Sequence, residues 1–356
     1  MKNVTNIKTT RDDARWETTI EGQIPPEALA LYRALILKDL AKTVQLKGFR
    51  AGHAPEAEII RAVGEEELLR RTTERAVRDE LPELIAAEKI NIVDSPRVTI
   101  ETPKPNTAVS FVAIAPLAPA ITLPDYAAIA QRENAKRKEV TVEPAEYDDT
   151  ITHLRRERSR AEKIDAGTDP QTAFKEAQAL DAKDLPALDD EFVKSIGYES
   201  EQAFRDKLRE QLLHEKTLQE NSKHRTVIID ALVKNSKISY PALLCEYELD
   251  DMEARLEDDL KRINRTLDSY YEETKKTRET LRKEWQEAAD KRVKMRLILA
   301  EIARKENIEP DQTILEHELT HAKKHYPEAN PETLRAHIAH AMRNDAVLSF
   351  LESQSA

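Results

Sequence analysis

The sequence predicts an α+β fold in which a small α+β domain is followed by an extended all-α region with arm-like helices. The 356 residues are 35% charged and 40% hydrophobic but only 5% aromatic, and their mean hydropathy is −0.65. This composition is typical of long amphipathic helices with much wetted surface. Strand-like patterns are concentrated before residue 120, whereas helical patterns dominate from residue 185 onward.

The first predicted elements are two paired strands and a helix. The segments VTNIKTT and ARWETTIEG are rich in Thr, Val and Ile in rough alternation, which favours strands. Pro25 and Pro26 then suit a helix start. Apolar residues recur after them at helical spacing, namely Leu29, Tyr32, Ile36 and Leu40.

The rest of this domain adds two helices and two strands. A short helix follows Pro55, a break is expected at Gly64, and a longer helix continues to about Lys89. RVTIET and TAVSFVAIA read as strands separated by the turn signal PKPN. The order strand, strand, helix, helix, helix, strand, strand predicts one α+β domain over residues 1–119.

Residues 120–184 are predicted to be a linker and a connecting helix. QRENAKRKEVTVEP indicates an extended crossing with a short strand, and a helix is expected over about 145–163. The following DAGTDPQTAFKEAQALDAKD has no strand periodicity and no long apolar face. It is interpreted as a linker.

Residues 185–356 are predicted to be all-α, with about five helices. We expect one helix over about 201–235, one from Pro241, and one long charged helix over about 267–306. The segments EPDQT and NPET each place a polar residue beside a proline and an acidic residue in the first turn, which predicts two more starts.

Composition also restricts the function. A net charge of −11 disfavours nonspecific binding to DNA. The single cysteine, Cys245, excludes an intramolecular disulfide framework and suits a reducing compartment. The start lacks a secretory apolar core, and the longest apolar run, at 109–123, is too short for a membrane span. We therefore expect a cytoplasmic protein without a DNA or membrane partner.

Catalytic patterns are sparse. The sequence has neither a glycine-rich phosphate loop followed by Lys and Ser or Thr nor a G-x-S-x-G elbow. The sharpest enzymatic pattern is HELTH, in which His317 and His321 are one helical turn apart and Glu318 is a candidate base. A third zinc ligand is not singled out, although Glu352 and His337 can be nominated. A zinc metalloprotease is therefore kept as an alternative, and neither a metal nor a cofactor is expected.

The stretch LKGFRAGHAP, at 46–55, is unusual because it holds two of the six glycines. Gly48 and Gly52 can take backbone angles closed to other residues, and they flank Phe49 and Arg50. A tight loop bounded by these glycines and Pro55 would direct Phe49 and Arg50 outward. The alternative is a helix connector whose Phe49 packs into the local core.

This stretch resembles the G-F-R-x-G-x-x-P signature of trigger factors, bacterial chaperones that dock beside the ribosomal exit tunnel. LPALDDEFVKSIGYES and VIIDALVKNSKISYPALLCEYELDDM are similar to the family's carboxy-terminal region. The resemblance covers residues 1–163 and 185–356. It implies a ribosome-binding domain at 1–119 and an all-α client-binding chaperone domain at 185–356.

The resemblance also implies roles for individual residues. Phe49 is expected to contact the large ribosomal subunit by apolar packing, and Arg50 through a carboxylate or phosphate. Ala51 and His53 stand where the family often has basic residues, so docking is expected either to be weaker or to depend more on Lys42 and Lys47. The full set of expected ribosome-binding residues is Lys42, Lys47, Gly48, Phe49, Arg50, Gly52 and Pro55.

The resemblance is incomplete in the middle of the chain. Trigger factors usually carry an FKBP-like prolyl isomerase domain of about ninety residues there, and only residues 165–184 stand in its place. They contain one aromatic, Phe174, and one glycine, Gly167. We therefore expect no prolyl isomerase activity and no other enzymatic activity.

The expected function is that of an ATP-independent chaperone for nascent polypeptides. Client-binding candidates, some of which must belong to the core, are Leu243, Leu244, Met252, Met295 and Leu299. A helical scaffold without a ribosome role remains a further alternative. Whether the free protein forms a homodimer stays open.

Overall fold

The computed structural model describes residues 3–44, 49 and 55–355. These residues form thirteen helices and six strands, which confirms the predicted α+β class with its helical carboxy-terminal region. In chain order the elements are β1 (Thr5–Asp12), β2 (Glu17–Ile24), α1 (Pro26–Thr43), α2 (Glu56–Val63), α3 (Glu65–Ala87), β3 (Arg97–Ile100), β4 (Val109–Pro116), β5 (Ala120–Thr122), α4 (Tyr126–Asn134), α5 (Pro144–Asp165), α6 (Pro170–Ala179), α7 (Asp190–Ser195), α8 (Glu201–Asn235), β6 (Lys237–Ser239), α9 (Ala242–Arg262), α10 (Leu267–Thr274), α11 (Arg278–Glu306), α12 (Gln312–His325) and α13 (Pro331–Glu352).

The chain divides into two compact units, and each unit combines two stretches that are distant in sequence. Unit 1 consists of Met1–Pro124 and Asn235–Asn307, and unit 2 of Asp125–Lys234 and Ile308–Ala356. The domain boundaries expected at residues 119 and 184 follow the sequence order and stay a prediction.

The first part of unit 1 is a four-stranded antiparallel sheet covered by helices. Its strand order is β1-β2-β4-β3, and β2 pairs with β4 along its whole length. The two inner strands alternate buried and less buried residues, as a sheet with one covered face requires. Their inward residues and the apolar sides of α1 and α3 form one core, which includes Ile20, Ile24, Leu29, Leu84 and Phe111.

Two local features tighten this core. Gly22 lies opposite Phe111, and a Cβ at Gly22 would stand 2.7 Å from the ring. The buried Glu80 carboxylate accepts hydrogen bonds from the Tyr32 hydroxyl and the Asn3 amide, each at 2.6 Å. Burial and the Glu80 hydrogen bond raise the pKa of Tyr32, so its hydroxyl remains a donor.

The second part of unit 1 is a helical hairpin next to a small sheet. β5 pairs antiparallel with β6, and α9 packs against α11. Their contact is an apolar cluster that comprises Cys245, Leu249 and Ala289, with Tyr240, Met252 and Trp285 packed against it.

Among the described residues of unit 2, all regular secondary structure is helical. α5 packs against α6, α4 against α13, and α12 against α13. The Asn134 amide donates to carbonyl oxygens of Leu351 at 2.9 Å and Gln354 at 2.8 Å, which satisfies groups left open at the end of α13. Arg225 of α8 binds Glu352 at 2.9 Å and Asp345 at 2.6 Å.

Most predicted elements are confirmed, but four differ. The expected linker at 165–184 contains α6, because the Asp169 side chain accepts from the Thr172 amide and Pro170 opens the helix. Ala173 and Ala177 are buried, so the small residues of α6 allow close packing on α5. The short strand expected within 131–144 is wrong, since this stretch holds the end of α4 and an irregular segment.

The other two differences lie nearer the carboxy terminus. The predicted helix over 267–306 is two helices, because Lys275 adopts a left-handed conformation that ends α10 and Thr277 caps α11. Residues 185–355 hold seven helices rather than five, and also β6, which was not expected there. A three-residue strand carries too little alternation to be recognised without its partner.

Candidate functional site

The LKGFRAGHAP stretch connects the end of α1 to the start of α2. Within it, Phe49 is described and is 43% exposed, which favours the outward orientation over the packed one. Pro55 caps the start of α2 in an extended conformation. The predicted site residues Lys47, Gly48, Arg50 and Gly52 lie outside the described residues.

One apolar cluster, which we call the clamp cluster, joins the helices on either side of this stretch. Its buried members are Leu37 and Leu40 of α1, Ile59 of α2 and Leu68 of α3, and Val44 packs against them. Burying each such side chain stabilises the fold by about 1.5–3 kcal/mol. The clamp cluster therefore fixes the positions at which the chain leaves α1 and enters α2.

A polar contact supports the same arrangement. Arg33 of α1 binds Glu65, the first residue of α3, at 2.8 Å. Exposed pairs of this kind contribute about 0–1 kcal/mol. The pair therefore adds orientation, while the apolar cluster supplies most of the stability.

The solvent face of α1 leads toward the stretch. Leu31, Leu35, Lys38 and Lys42 recur at helical spacing and are all exposed. Lys42 lies 3.7 Å from Asp39, an exposed contact that leaves its ammonium accessible. Together with an exposed Phe49, this face offers apolar contacts and positive charge, which suits a partner with phosphates or carboxylates.

The predicted client-binding residues lie on the α9–α11 hairpin of unit 1. Leu243, Leu244, Met252 and Met295 are half-buried. Leu299 is 2% exposed and therefore belongs to the core, where some of these residues were expected.

Other apolar side chains are more exposed than those candidates. Leu213, Leu218 and Val227 of α8 and Ile314 of α12 are exposed in unit 2, and Tyr247 of α9 in unit 1. Sequence reasoning missed them. The available signal was their position outside the main apolar stripe of each helix.

An ionic network holds α9 against α11 beside the apolar cluster. Arg282 binds Asp250 at 2.6 Å and Glu246 at 2.7 Å, and Arg278 binds Glu253 at 2.7 Å. The Arg278 hydrogen bond holds the pKa of Glu253 below its usual range, despite partial burial. Further along, the buried Glu248 carboxylate binds Arg292 and Arg296. These charges are paired where the two helices meet.

The HELTH segment lies on α12 with its histidines in solvent. Leu315 and Leu319 form the buried side of α12, whereas His317 is 80% exposed. In the described part of the chain, no three His, Cys, Asp or Glu residues converge on a possible metal position. Glu352, nominated as a third ligand, binds Arg225 instead. The protease alternative thus gains no support.

Two family models match this chain, and they cover both halves of it. Residues 5–154 match "Bacterial trigger factor protein (TF)" and residues 202–353 match "Bacterial trigger factor protein (TF) C-terminus". The second match includes the α9–α11 hairpin, and the first includes the LKGFRAGHAP stretch.

Individual proteins similar to this chain are also trigger factors. A trigger factor from Macrococcus caseolyticus is 24% identical over 373 residues, which cover 85% of this chain and 87% of the relative. One from Clostridium botulinum (strain Langeland) is 26% identical over 208 residues, 56% of this chain and 48% of the relative. The chain thus spans about half the length of the clostridial relatives it matches.

A solved structure shares the fold. It is described as "Promiscuous Substrate Recognition in Folding and Assembly Activities of the Trigger Factor Chaperone". The TM-score is 0.52 at 15% identity, and the match covers 99% of this chain and 100% of the other.

Among the described helices, none is both long and apolar enough to cross a membrane.

The Glu253 pairs predict a pH-dependent stability of the hairpin. Because the pKa of Glu253 is lowered on folding, its contribution is complete above the unfolded value of about 4.3 and is lost as the pH falls through the folded value. We expect Glu253→Gln to lower the free energy of unfolding by about 1–3 kcal/mol at pH 7. The difference from the parent protein should shrink as the pH falls below about 4.

The measurement is urea unfolding followed by Trp285 fluorescence in a Trp16→Phe background, since Trp285 packs within the hairpin. Glu257→Gln is the matched control, because Glu257 makes an exposed pair with Lys261 on the same helix. Equal effects of the two substitutions at pH 7 would contradict the assignment.

Proposed function

Because the chain belongs to the trigger factor family, we propose that it is an ATP-independent chaperone that binds the large ribosomal subunit and shields emerging polypeptides. The observation that carries this proposal is Phe49, an exposed aromatic within a signature stretch whose two ends are fixed by the clamp cluster. An exposed aromatic is an effective anchor because it buries a large apolar area on binding.

Docking combines that anchor with positive charge. Phe49 packs against an apolar surface of the subunit near the exit tunnel, and Arg50 binds a phosphate or carboxylate. Lys42 and Lys47 add charge, and Gly48, Gly52 and Pro55 complete the set of proposed ribosome-binding residues. Since Ala51 and His53 stand where the family often has basic residues, Lys42 and Lys47 carry more of the electrostatic contact.

Clients bind through partly exposed apolar residues. Leu243, Leu244, Met252 and Met295 of the hairpin are half-buried, so a client covers area that water otherwise contacts. Covering apolar surface contributes about 25 cal/mol per Å². Many small contacts of this kind hold an unfolded segment yet let it leave without nucleotide hydrolysis.

The cellular setting follows from these partners. A ribosome-docked protein that meets nascent chains works in the cytoplasm, and the sequence provides no phosphate loop for an energy source. In this proposal residues 1–119 form the domain that docks on the ribosome, and the region from residue 185 onward binds clients.

The protein is proposed to lack prolyl isomerase activity. The residues between the two family matches, 155–201, hold the end of α5, α6 and α7. All residues of 125–234 are described, and none is in a strand. A twisted sheet around an aromatic pocket therefore has no counterpart in this segment.

Replacing Phe49 and Arg50 by alanine is expected to lower the affinity for ribosomes at least about tenfold, since an aromatic anchor and a charged hydrogen bond are both lost. The measurement is pelleting of ribosomes through sucrose over a range of protein concentrations. Raising the salt from about 0.1 M to 1 M should weaken ribosome binding by the parent protein, because screening reduces the electrostatic contribution to binding.

The matched control replaces Val112 and Arg11 by alanine. Both side chains are exposed on the sheet of the same domain and lie outside the signature stretch. The control should pellet like the parent protein. Unchanged pelleting of the Phe49 and Arg50 variant would support the scaffold alternative instead.

A prolyl-peptide isomerisation assay tests the missing activity. The rate with stoichiometric protein should equal the spontaneous rate, at which isomerisation takes tens to hundreds of seconds at 25 °C. Acceleration that depends on protein concentration and survives removal of contaminating isomerases would contradict this part of the proposal.

A further inference from the structure

The strand β3 has an unpaired outer edge. It lies at the end of the sheet order β1-β2-β4-β3 and, among the described strands, pairs with β4 alone. The Glu101 amide donates to the Ser110 carbonyl at 3.0 Å. Successive residues of an antiparallel strand point their backbone groups to opposite sides, so Thr99 also faces β4, whereas Val98 and Ile100 face outward.

An apolar groove runs beside this edge. Its volume is about 930 Å³, and it lies between α3 and β3. Its lining includes Val77, Leu81 and Ile85 of α3, Ile90 of the following segment, and Val98 and Ile100. Val98 is 41% exposed. The same two residues, Val98 and Ile100, thus offer both free backbone groups and apolar side chains.

One cation of the groove lining, Arg78, is exposed and available to a ligand. It makes no ion pair with any residue in the described ranges. Of the acidic lining residues, Glu74 binds Arg70, and Asp94 accepts hydrogen bonds from the Tyr247 hydroxyl and the Ser95 amide. A carboxylate on an incoming ligand would complement Arg78.

We propose that β3 and this groove bind an extended, apolar client segment that carries an acidic residue, by adding it to the sheet as a fifth strand. Unpaired backbone groups repeated along a strand are matched in register by another backbone, which identifies a polypeptide as the ligand. Apolar side chains of the segment enter the groove, and its carboxylate binds Arg78. The inference rests on the proposed chaperone function and places a client site in the amino-terminal part of unit 1.

The opposite edge of the sheet is unsuited to this role. β1 carries three charged residues, Lys8, Arg11 and Asp12, and its one apolar residue is Ile7, whereas two of the four β3 residues are apolar. Charged side chains on an edge oppose the addition of an apolar strand. Recognition of an apolar segment is therefore assigned to β3.

The test measures binding of a Val-Thr-Val-Thr-Val-Glu-amide peptide, labelled with fluorescein at its amino terminus, by fluorescence anisotropy. Val98→Pro should weaken binding by about tenfold, because it removes an outward N–H and no hydrogen bond to β4. Val98→Thr keeps that N–H and should remain within about threefold of the parent protein. Arg78→Glu should reverse the preference for this peptide over its counterpart ending in Lys.

A second measurement leaves the protein unchanged, so it holds even if Val98→Pro unfolds. N-methylation of either the valine or the threonine amides blocks one side of the peptide backbone, and only one of these sets should abolish binding. Equal binding by both methylated peptides would overturn the proposal. The proposal would also be overturned if the wild-type protein were a dimer that does not bind the peptide and the Val98→Pro variant were a monomer. In that case β3 would pair with a second copy of the chain.

Ribosome co-sedimentation of the same preparations separates this inference from the proposed function. If the protein pellets with ribosomes but its Val98→Pro and Val98→Thr variants bind the peptide equally, the proposed groove site is overturned and the proposed function is not. Protein that binds the peptide as expected without pelleting upholds the groove and contradicts ribosome docking.

Discussion

The packing of Leu37 and Leu40 against Ile59 and Leu68 is the interaction on which the proposed docking depends. These four side chains join the end of α1, the short helix α2 and the start of α3. α2 has eight residues and one buried residue, Ile59, so it has little stability without that contact. Because the cluster fixes where the chain leaves α1 and re-enters at Pro55, Phe49 stands between two defined points at the surface. An anchor held in this way loses less entropy on binding than one on a free tail.

In the remainder of unit 1, ionic contacts surround a small apolar cluster. The α9–α11 hairpin buries a small cluster around Leu249 and Ala289, and arginines of α11 bind carboxylates of α9 around it. On these charge-rich helices, half-buried residues such as Met252 are the proposed contact sites. Weak apolar patches within a charged surface suit transient binding, since they add affinity without promoting aggregation.

Sequence reasoning recovered what local patterns encode. The first two strands, the helix after Pro25 and the break at Gly64 follow from alternation, proline and glycine positions, and all are present. It missed α6, whose apolar side is made of alanines, and it joined α10 to α11 because charge runs hide a cap at Thr277. The glycines flanking Phe49 left its orientation open, and the family resemblance made it an expected binding residue. The clamp cluster and the β3 groove arise from side chains far apart in sequence, which periodicity does not reveal.

Direct contact between Phe49 and the ribosome can be measured by photocrosslinking from that position. A benzoylphenylalanine placed at residue 49 is irradiated in the presence of intact ribosomes, with the same group at Val112 as reference. Position 49 is expected to give crosslinks to components of the large subunit that an excess of unlabelled protein suppresses, and position 112 is expected to give few. Equal yields from both positions, or none from position 49 under conditions where the protein pellets with ribosomes, would contradict that contact.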